Sequence, residues 1–304
     1  MAVSDINMYL GAPGRLEQIV VPRGGMDRTR VRQVDVYALG NGGVRVGKLL
    51  GGARRYTISF ERLTYDTFKV LEAYEQGHRG PGPFVLLDPS ARNILTVNQS
   101  ATTSERNNTN NFTLSGSGGA LASNSTIYRR GPRTLSYTAS NTNPSASAIF
   151  LDAPCSEWSG FPVQVGRAMV LSAYIKGGGT NPSITLSASM RWLSETGSTL
   201  STNTGSTLLA TSGSWQQITT IATPPASAAF VVPIYTIASG ATANSIVYFD
   251  EMMLHEGTTV DSTWSPGGGI LPVVPLSLAE SWPFQAGGYR DRPTFILQEV
   301  GGGG

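Results

Sequence analysis

The sequence predicts a mainly β protein: a β-sandwich carrying one helix, interrupted by a second, inserted β-sandwich of jelly-roll type. Three observations carry that expectation. Short β-branched and aromatic runs recur between turn-forming clusters, in a composition with 36 Gly and 18 Pro. Charge is uneven, with 13 Lys+Arg and 9 Asp+Glu in residues 1–99 but only 7 and 8 in the longer stretch 100–265. The segment 270–304 is too short to fold alone, and its β-like run Pro293–Val300 has no local strand to pair with. Together these place a discontinuous domain at 1–97 plus 268–304 and an insert at 98–267, because insertions succeed at exposed loops whose flanking ends lie close together. The Asn-, Ser- and Thr-rich run Asn98–Asn111 and the run Ser265–Gly269 read as linkers.

In the first segment, Arg15–Val21, Arg30–Leu39 and Arg54–Phe60 read as strands, with a glycine turn at Gly40–Gly43. A helix follows, with Thr64 as N-cap, Phe68, Leu71 and Tyr74 on one face, and Gly77 as the terminating glycine. Gly80–Pro89 is a turn feeding a short apolar strand. The insert reads as strands at Met169–Lys176, Ser183–Leu193, Trp215–Ile221, Ala228–Tyr235 and Ser245–Leu254. Side chains alternate across a strand, which points Met169, Leu171, Ala173 and Ile175 inward and Tyr174 outward. The same rule points Ile184, Leu186, Ala188, Met190 and Trp192 inward and Arg191 outward. On the next strand it puts Phe230, Val232 and Ile234 inside and Tyr235 outside.

Composition narrows the function classes. Only 14% of residues are charged, against about 25% in an average domain. The net charge is +2, so no basic field asks for nucleic acid. The single cysteine, Cys155, forms no intrachain disulfide, and the two histidines, His78 and His255, lie too far apart for a paired metal motif. No apolar run approaches the roughly 20 residues of a membrane span, and the N-terminal residues lack the pattern of a secretory signal.

Several motifs invite chemistry. Gly42–Lys48 fits the first seven positions of a phosphate-binding loop, but Leu49 stands where the magnesium-binding hydroxyl belongs, and a glycine-rich hairpin is the competing reading. Asp152, Glu157, Asp250 and Glu251 are the carboxylates on which glycoside hydrolysis would rest. Neighbours on a strand point to opposite faces, so Asp250 and Glu251 are not expected to flank one bond. Cys155 reads as a loop or core residue in preference to a reactive thiol. Aromatic chemistry is the stronger expectation, since sugars stack their C–H faces on rings. An outward face bearing Tyr174, Arg191 and Tyr235, with Trp158 exposed in its loop, is the candidate glycan site.

The stretches Val165–Lys176, Ser214–Gln217, Ala226–Val232 and Ile246–Gly257 resemble the jelly-roll carbohydrate-binding modules of families 4 and 9 over about half of the chain. That resemblance implies glycan binding on a sandwich face or loop edge. It also implies a structural calcium, with Asp250 at the matching ligand position and Glu251 where the family has a second Asp. No other cofactor is expected.

The flanking segments, Leu63–Phe68, Gly80–Pro89, Asn93–Leu95 and Phe295–Val300, are similar to minor tail proteins of siphophages that infect actinobacteria, related to the distal tail or baseplate hub family. That resemblance implies a non-enzymatic virion protein of the tail tip, made in the host cytoplasm. It would close a ring with copies of itself, a hexamer or alternatively a trimer, and contact the tail tube, other tail-tip proteins and host cell-wall polysaccharide. The alternatives are a host-glycan adhesin and a cell-wall depolymerase.

Overall fold

The structure, a computed structural model, describes residues 8–20, 22, 24–31, 34–38, 44–48, 53–88, 91–104, 107–140, 146–179, 184–239, 241–281 and 289–300. It is mainly β. The chain divides into two compact units, Met1–Pro89 with Leu271–Gly304, and Ser90–Ile270. Among the described residues, no helix is long and apolar enough to cross a membrane.

The split unit opens with β1 (Met8–Ala12), β2 (Arg15–Ile19), β3 (Met26–Val31), β4 (Val34–Ala38), β5 (Val44–Lys48), β6 (Ala53–Ser59) and β7 (Arg62–Thr64). Helix α1 (Tyr65–Glu75) and β8 (Val85–Leu87) follow. The middle unit contains α2 (Val97–Ser100), β9 (Phe112–Ser115), β10 (Gly119–Asn124), β11 (Thr134–Ala139), β12 (Ser147–Leu151), β13 (Phe161–Pro162) and β14 (Met169–Gly179). It continues through β15 (Ile184–Leu193), β16 (Thr199–Thr204), β17 (Leu208–Ala210), β18 (Gln216–Ala222), β19 (Phe230–Ile237) and β20 (Ser245–Glu256). Strands β21 (Val273–Ser281) and β22 (Tyr289–Glu299) complete the split unit.

In the split unit, one sheet runs β2-β1-β8 and another runs β21-β22-β6-β3, with β7 also paired to β22. A bridge between Phe84 and Val273 joins their margins. The C-terminal strand β22 lies antiparallel to β6, with Phe295 opposite Ile58 and Leu297 opposite Tyr56. All four side chains are buried.

Helix α1 forms where its sequence signals stand. Thr64 Oγ1 accepts from Thr67 N at 3.3 Å, and Gly77 follows the C-cap at φ +76. Its buried face carries Phe68, Leu71 and Tyr74. Tyr74 meets Phe84 edge to face at 5.0 Å and donates its hydroxyl to Leu10 O. The reading of Arg30–Leu39 as one strand is corrected: β3 pairs with β6, while β4, among the described residues, pairs with β5 in a separate ribbon. The Gly40–Gly43 turn lies outside the described residues. A strand, β5, occupies the last part of the phosphate-loop match, where that motif requires the start of a helix.

The middle unit is an antiparallel β-sandwich. One sheet has the order β10-β11-β20-β14-β18, and the other β16-β15-β19-β12-β9 with β13 and β17 alongside. The inward stripes on β14 and β15 are buried as their alternation predicts. The two supposed linkers are corrected. Asn98–Ser100 are buried within α2, and Gly268 N and Gly269 N donate to Asn93 O and Leu95 O. A Cβ at Gly267 would meet Leu95 O at 2.4 Å, so these segments are packed against each other. Polar side chains here bond to buried backbone instead of water. Asn93 Nδ2 donates to Met252 O and Ser265 O, and Gln99 Nε2 donates to Asn111 O and Asp152 O.

The split unit carries its own buried polar anchor. Glu299 accepts from Arg54 N at 2.7 Å and from the Tyr56 hydroxyl at 2.8 Å, with Arg54 Nε 3.6 Å away. Burial first, then the Glu299 charge, raises the Tyr56 phenol well above its ordinary value. Replacing Glu299 by Ala takes the acceptor from the buried Tyr56 hydroxyl and the half-buried Arg54 amide and is expected to cost about 3–5 kcal/mol. Glu299→Gln retains one acceptor oxygen and is expected to cost about 1–2 kcal/mol. Urea denaturation of the full chain checks the ranking, and equal losses would contradict it.

Candidate functional site

The candidate site is built on an irregularity in β20. Ser172 of β14 lies opposite Met253 and Tyr174 lies opposite Asp250, so Glu251 and Met252 together face the single residue Ala173. This is a β-bulge, and Glu251 takes the left-handed conformation at φ +51. The bulge breaks the alternation that would send neighbouring carboxylates to opposite faces. Asp250 and Glu251 both reach the loop 125–133 between β10 and β11, which corrects the expectation that they point to opposite faces.

Asp250 holds the backbone of that loop. Its Oδ2 accepts from Arg129 N at 2.6 Å and from Arg130 N at 3.2 Å, while Oδ1 accepts from Glu251 N at 2.7 Å and the Thr102 hydroxyl at 3.2 Å. Burial pushes the Asp250 carboxyl up, and these hydrogen bonds pull it back toward the charged form. Glu251 holds the side chains. Its carboxylate pairs with Arg129 Nη1 and accepts from Arg130 Nε at 2.6 Å.

The loop is also fastened at both ends. Asn124 Oδ1 accepts from Thr126 N and Ile127 N at 2.9 Å each, an Asx turn. Ser104 Oγ donates to Arg133 O at 2.8 Å, and a Cβ on Gly131 would meet that Oγ at 2.3 Å. Thr102 and Thr103, which reach Asp250 and Ser123, sit at φ +46 and +75.

Each pinned guanidinium lies over an aromatic ring. The Arg129 guanidinium carbon is 3.7 Å from the Tyr174 ring centroid, and that of Arg130 is 5.4 Å from the Trp264 ring. The Glu251 side chain is 3% exposed, whereas those of Arg129 and Arg130 are 33% and 53% exposed. Negative charge is therefore buried and positive charge is presented outward. Arg130 uses only the Nε–H of its five guanidinium N–H donors, and its two terminal amino groups have no hydrogen-bond acceptor among the described residues. Tyr128, half exposed, borders the pair.

The sequence-predicted glycan face is not one face. Tyr174 lies on β14, opposite Asp250 and Gln217, with Arg129 covering its ring. Arg191 lies on the other sheet, opposite Val232, with its guanidinium 5.1 Å from the Phe150 ring. Tyr235 is wholly buried, contacts Phe249 with ring centroids 5.3 Å apart, and donates to Ser172 O. It lies opposite Ala188 in the core row, so the expectation that Tyr235 faces outside is corrected; β19 buries Val231, Tyr235 and Ile237 along with the expected Phe230 and Ile234, while Val232 is only half-buried. Trp158 is 7% exposed. Its loop is stitched to β19 by the β13 pairing and by Val163 N donating to Ala229 O, and Gly160 packs against Val231 O.

A calcium ion does not fit at Asp250. Both carboxylate oxygens already accept from amide or hydroxyl donors, and two arginines stand beside them. No group of three or more His, Cys, Asp or Glu suited to a metal occurs among the described residues. Asp152 is half-buried and Glu157 exposed, whereas Asp250 and Glu251 are spent on the arginine loop. Sequence reasoning missed Arg129, Arg130 and Trp264. The Arg-Arg pair was legible as a dipeptide, but the bulge that gives it two carboxylate partners was not.

No family model matches this chain, and no curated protein matches it. Among solved structures, it is similar to the CBM22-1 xylan-binding domain of Paenibacillus barcinonensis Xyn10C at 14% identity and TM-score 0.39, covering 52% of this chain and 92% of that one. It is similar to a carbohydrate-binding module of the β-sandwich superfamily at 12% identity and TM-score 0.37, covering 74% and 86%. It is also similar to the enzymatically active domain of bacteriophage CBA120 tailspike protein 4 at 17% identity and TM-score 0.40, covering 55% of this chain and 22% of that one.

Two outcomes follow from the buried groups. Asp250→Asn turns an amide donor toward N–H groups that need an acceptor and is expected to cost the middle unit about 2–4 kcal/mol, read by urea denaturation. Burial and the neighbouring Glu157 push the Cys155 thiol up to about 12. Its reactive thiolate is therefore scarce at neutral pH and grows only toward strong alkali. Alkylation of the folded protein at pH 8 is expected to run on the order of 1,000-fold slower than that of a free thiol. Complete labelling within minutes would contradict this.

Proposed function

We propose that this chain is a non-enzymatic tail-tip protein of a bacteriophage, in which the split unit assembles with its neighbours and the middle unit contacts host surface glycan. The observation that carries the glycan reading is the platform at residues 125–133. Two arginines are fixed by one buried carboxylate and laid over Tyr174 and Trp264, on the outside of a sandwich that already has its own core. Preorganised donors of this kind bind without having to be ordered first.

The assembly reading is supported by the similarity of the flanking segments to siphophage tail proteins and by the sheet margins of the split unit. Among the described residues, β3 ends one sheet and β2 ends another, each with a backbone edge able to pair with another chain. Identical subunits that use different edges close into a ring when the rotation between them closes.

Two measurements on the full chain test the two halves of this proposal. Retention on host cell-wall polysaccharide is expected, with Tyr174→Ala weakening it about tenfold, since the ring beneath Arg129 is lost. Sedimentation is expected to show a closed oligomer. A monodisperse monomer at high concentration, without affinity for tail components, contradicts the assembly half, and absence of retention on any wall polysaccharide contradicts the glycan half.

A further inference from the structure

We propose that the platform at Arg129 and Arg130 selects an anionic glycan, one bearing carboxylate or phosphate groups, over a neutral one. This rests on the glycan reading above and adds the ligand's charge. A neutral sugar is held largely by stacking its C–H face on an open aromatic ring. Here the Arg129 guanidinium lies 3.7 Å from the centroid of the Tyr174 ring, and Arg130 lies over Trp264. The same substitution occurs on the opposite sheet, where Arg191 overlies Phe150. The surface offered to a ligand is therefore guanidinium in place of ring.

A guanidinium is a planar fork that matches an oxyanion with two parallel hydrogen bonds. Arg130 is fixed by Nε to Glu251, and its two terminal amino groups remain without a protein acceptor among the described residues. The charges are layered. Asp250 and Glu251 are buried and consumed in hydrogen bonds, whereas Arg130 is half exposed. A bound oxyanion would thus meet donors already aimed outward and would not have to displace a partner.

Affinity electrophoresis of the full chain through three polymers tests this: polygalacturonate, a poly(glycerol phosphate) teichoic acid, and a neutral β-glucan. Retardation is expected in at least one anionic polymer, whose identity separates carboxylate from phosphate, and to be at least tenfold weaker in the β-glucan. Arg130→Gln is expected to weaken anionic retardation about tenfold or more, and Arg130→Lys to restore only part of it, because lysine keeps the charge but not the fork. Arg92→Gln removes an equal charge at an exposed position outside the loop and is expected to leave retardation unchanged. Equal losses from Arg92→Gln and Arg130→Gln would reduce the effect to bulk charge and overturn the inference. Equal retardation in β-glucan, indifferent to Arg130→Gln, would overturn it while leaving the glycan reading intact, and retardation in none of the three would overturn both.

Discussion

Glu251 stands at φ +51 inside a β-strand, a conformation that costs a non-glycine residue on the order of 1–3 kcal/mol. What offsets that cost is also what organises the outer face of the middle unit. The bulge turns two successive carboxylates onto one loop, Asp250 to its backbone and Glu251 to its side chains. Burial makes each of these charges costly unless paired, so the loop is held as firmly as the carboxylates need their partners. Without Glu251 the two guanidinium groups lose their carboxylate partner, and without Asp250 the loop backbone loses its acceptor.

The same economy runs through the root of the unit. Asn93 and Gln99 are buried amides that use both ends: Asn93 Oδ1 accepts from Leu95 N and Leu254 N while its amino group donates to two carbonyls. Gln99 Oε1 accepts from Thr96 N while its amino group reaches Asn111 O and Asp152 O. Satisfied in this way, polar groups specify one packing where an apolar contact would tolerate several. The segments entering and leaving the sandwich are consequently part of its structure. In the split unit, Glu299 does comparable work by joining β22 to β6 through Arg54 and Tyr56.

The fold class was readable because the apolar residues at one phase of β14 and β15, Leu171, Ile175, Met190 and Trp192 among them, are all buried while the other phase carries Ser172, Ser187, Ser189 and Arg191. Helix α1 was readable from a cap, a spacing and a glycine. Strand β19 resisted because Phe-Val-Val-Pro-Ile-Tyr is apolar at both phases, and nothing within it marks which half faces the partner sheet. Register with β15 decides, and register is a long-range property. Asn- and Ser-rich composition suggested linkers at Asn98–Asn111 for a related reason. A polar side chain has the same letter whether it bonds water or a buried carbonyl. The platform itself depends on residues about 120 positions apart in sequence, Arg129 with Asp250 and Glu251, and on one bulge that no periodicity reveals.

Buried Asp250 fixes the backbone of an exposed arginine loop. Residue-resolved hydrogen exchange of the Arg129 and Arg130 amides in the full chain tests it most directly. Two charge-assisted hydrogen bonds into a buried carboxylate predict protection of about 100-fold or more over the intrinsic rate, since each such bond is worth roughly 1.5–3 kcal/mol. Exchange of both amides at the intrinsic rate, in protein whose β14 and β20 amides remain protected, would contradict the account.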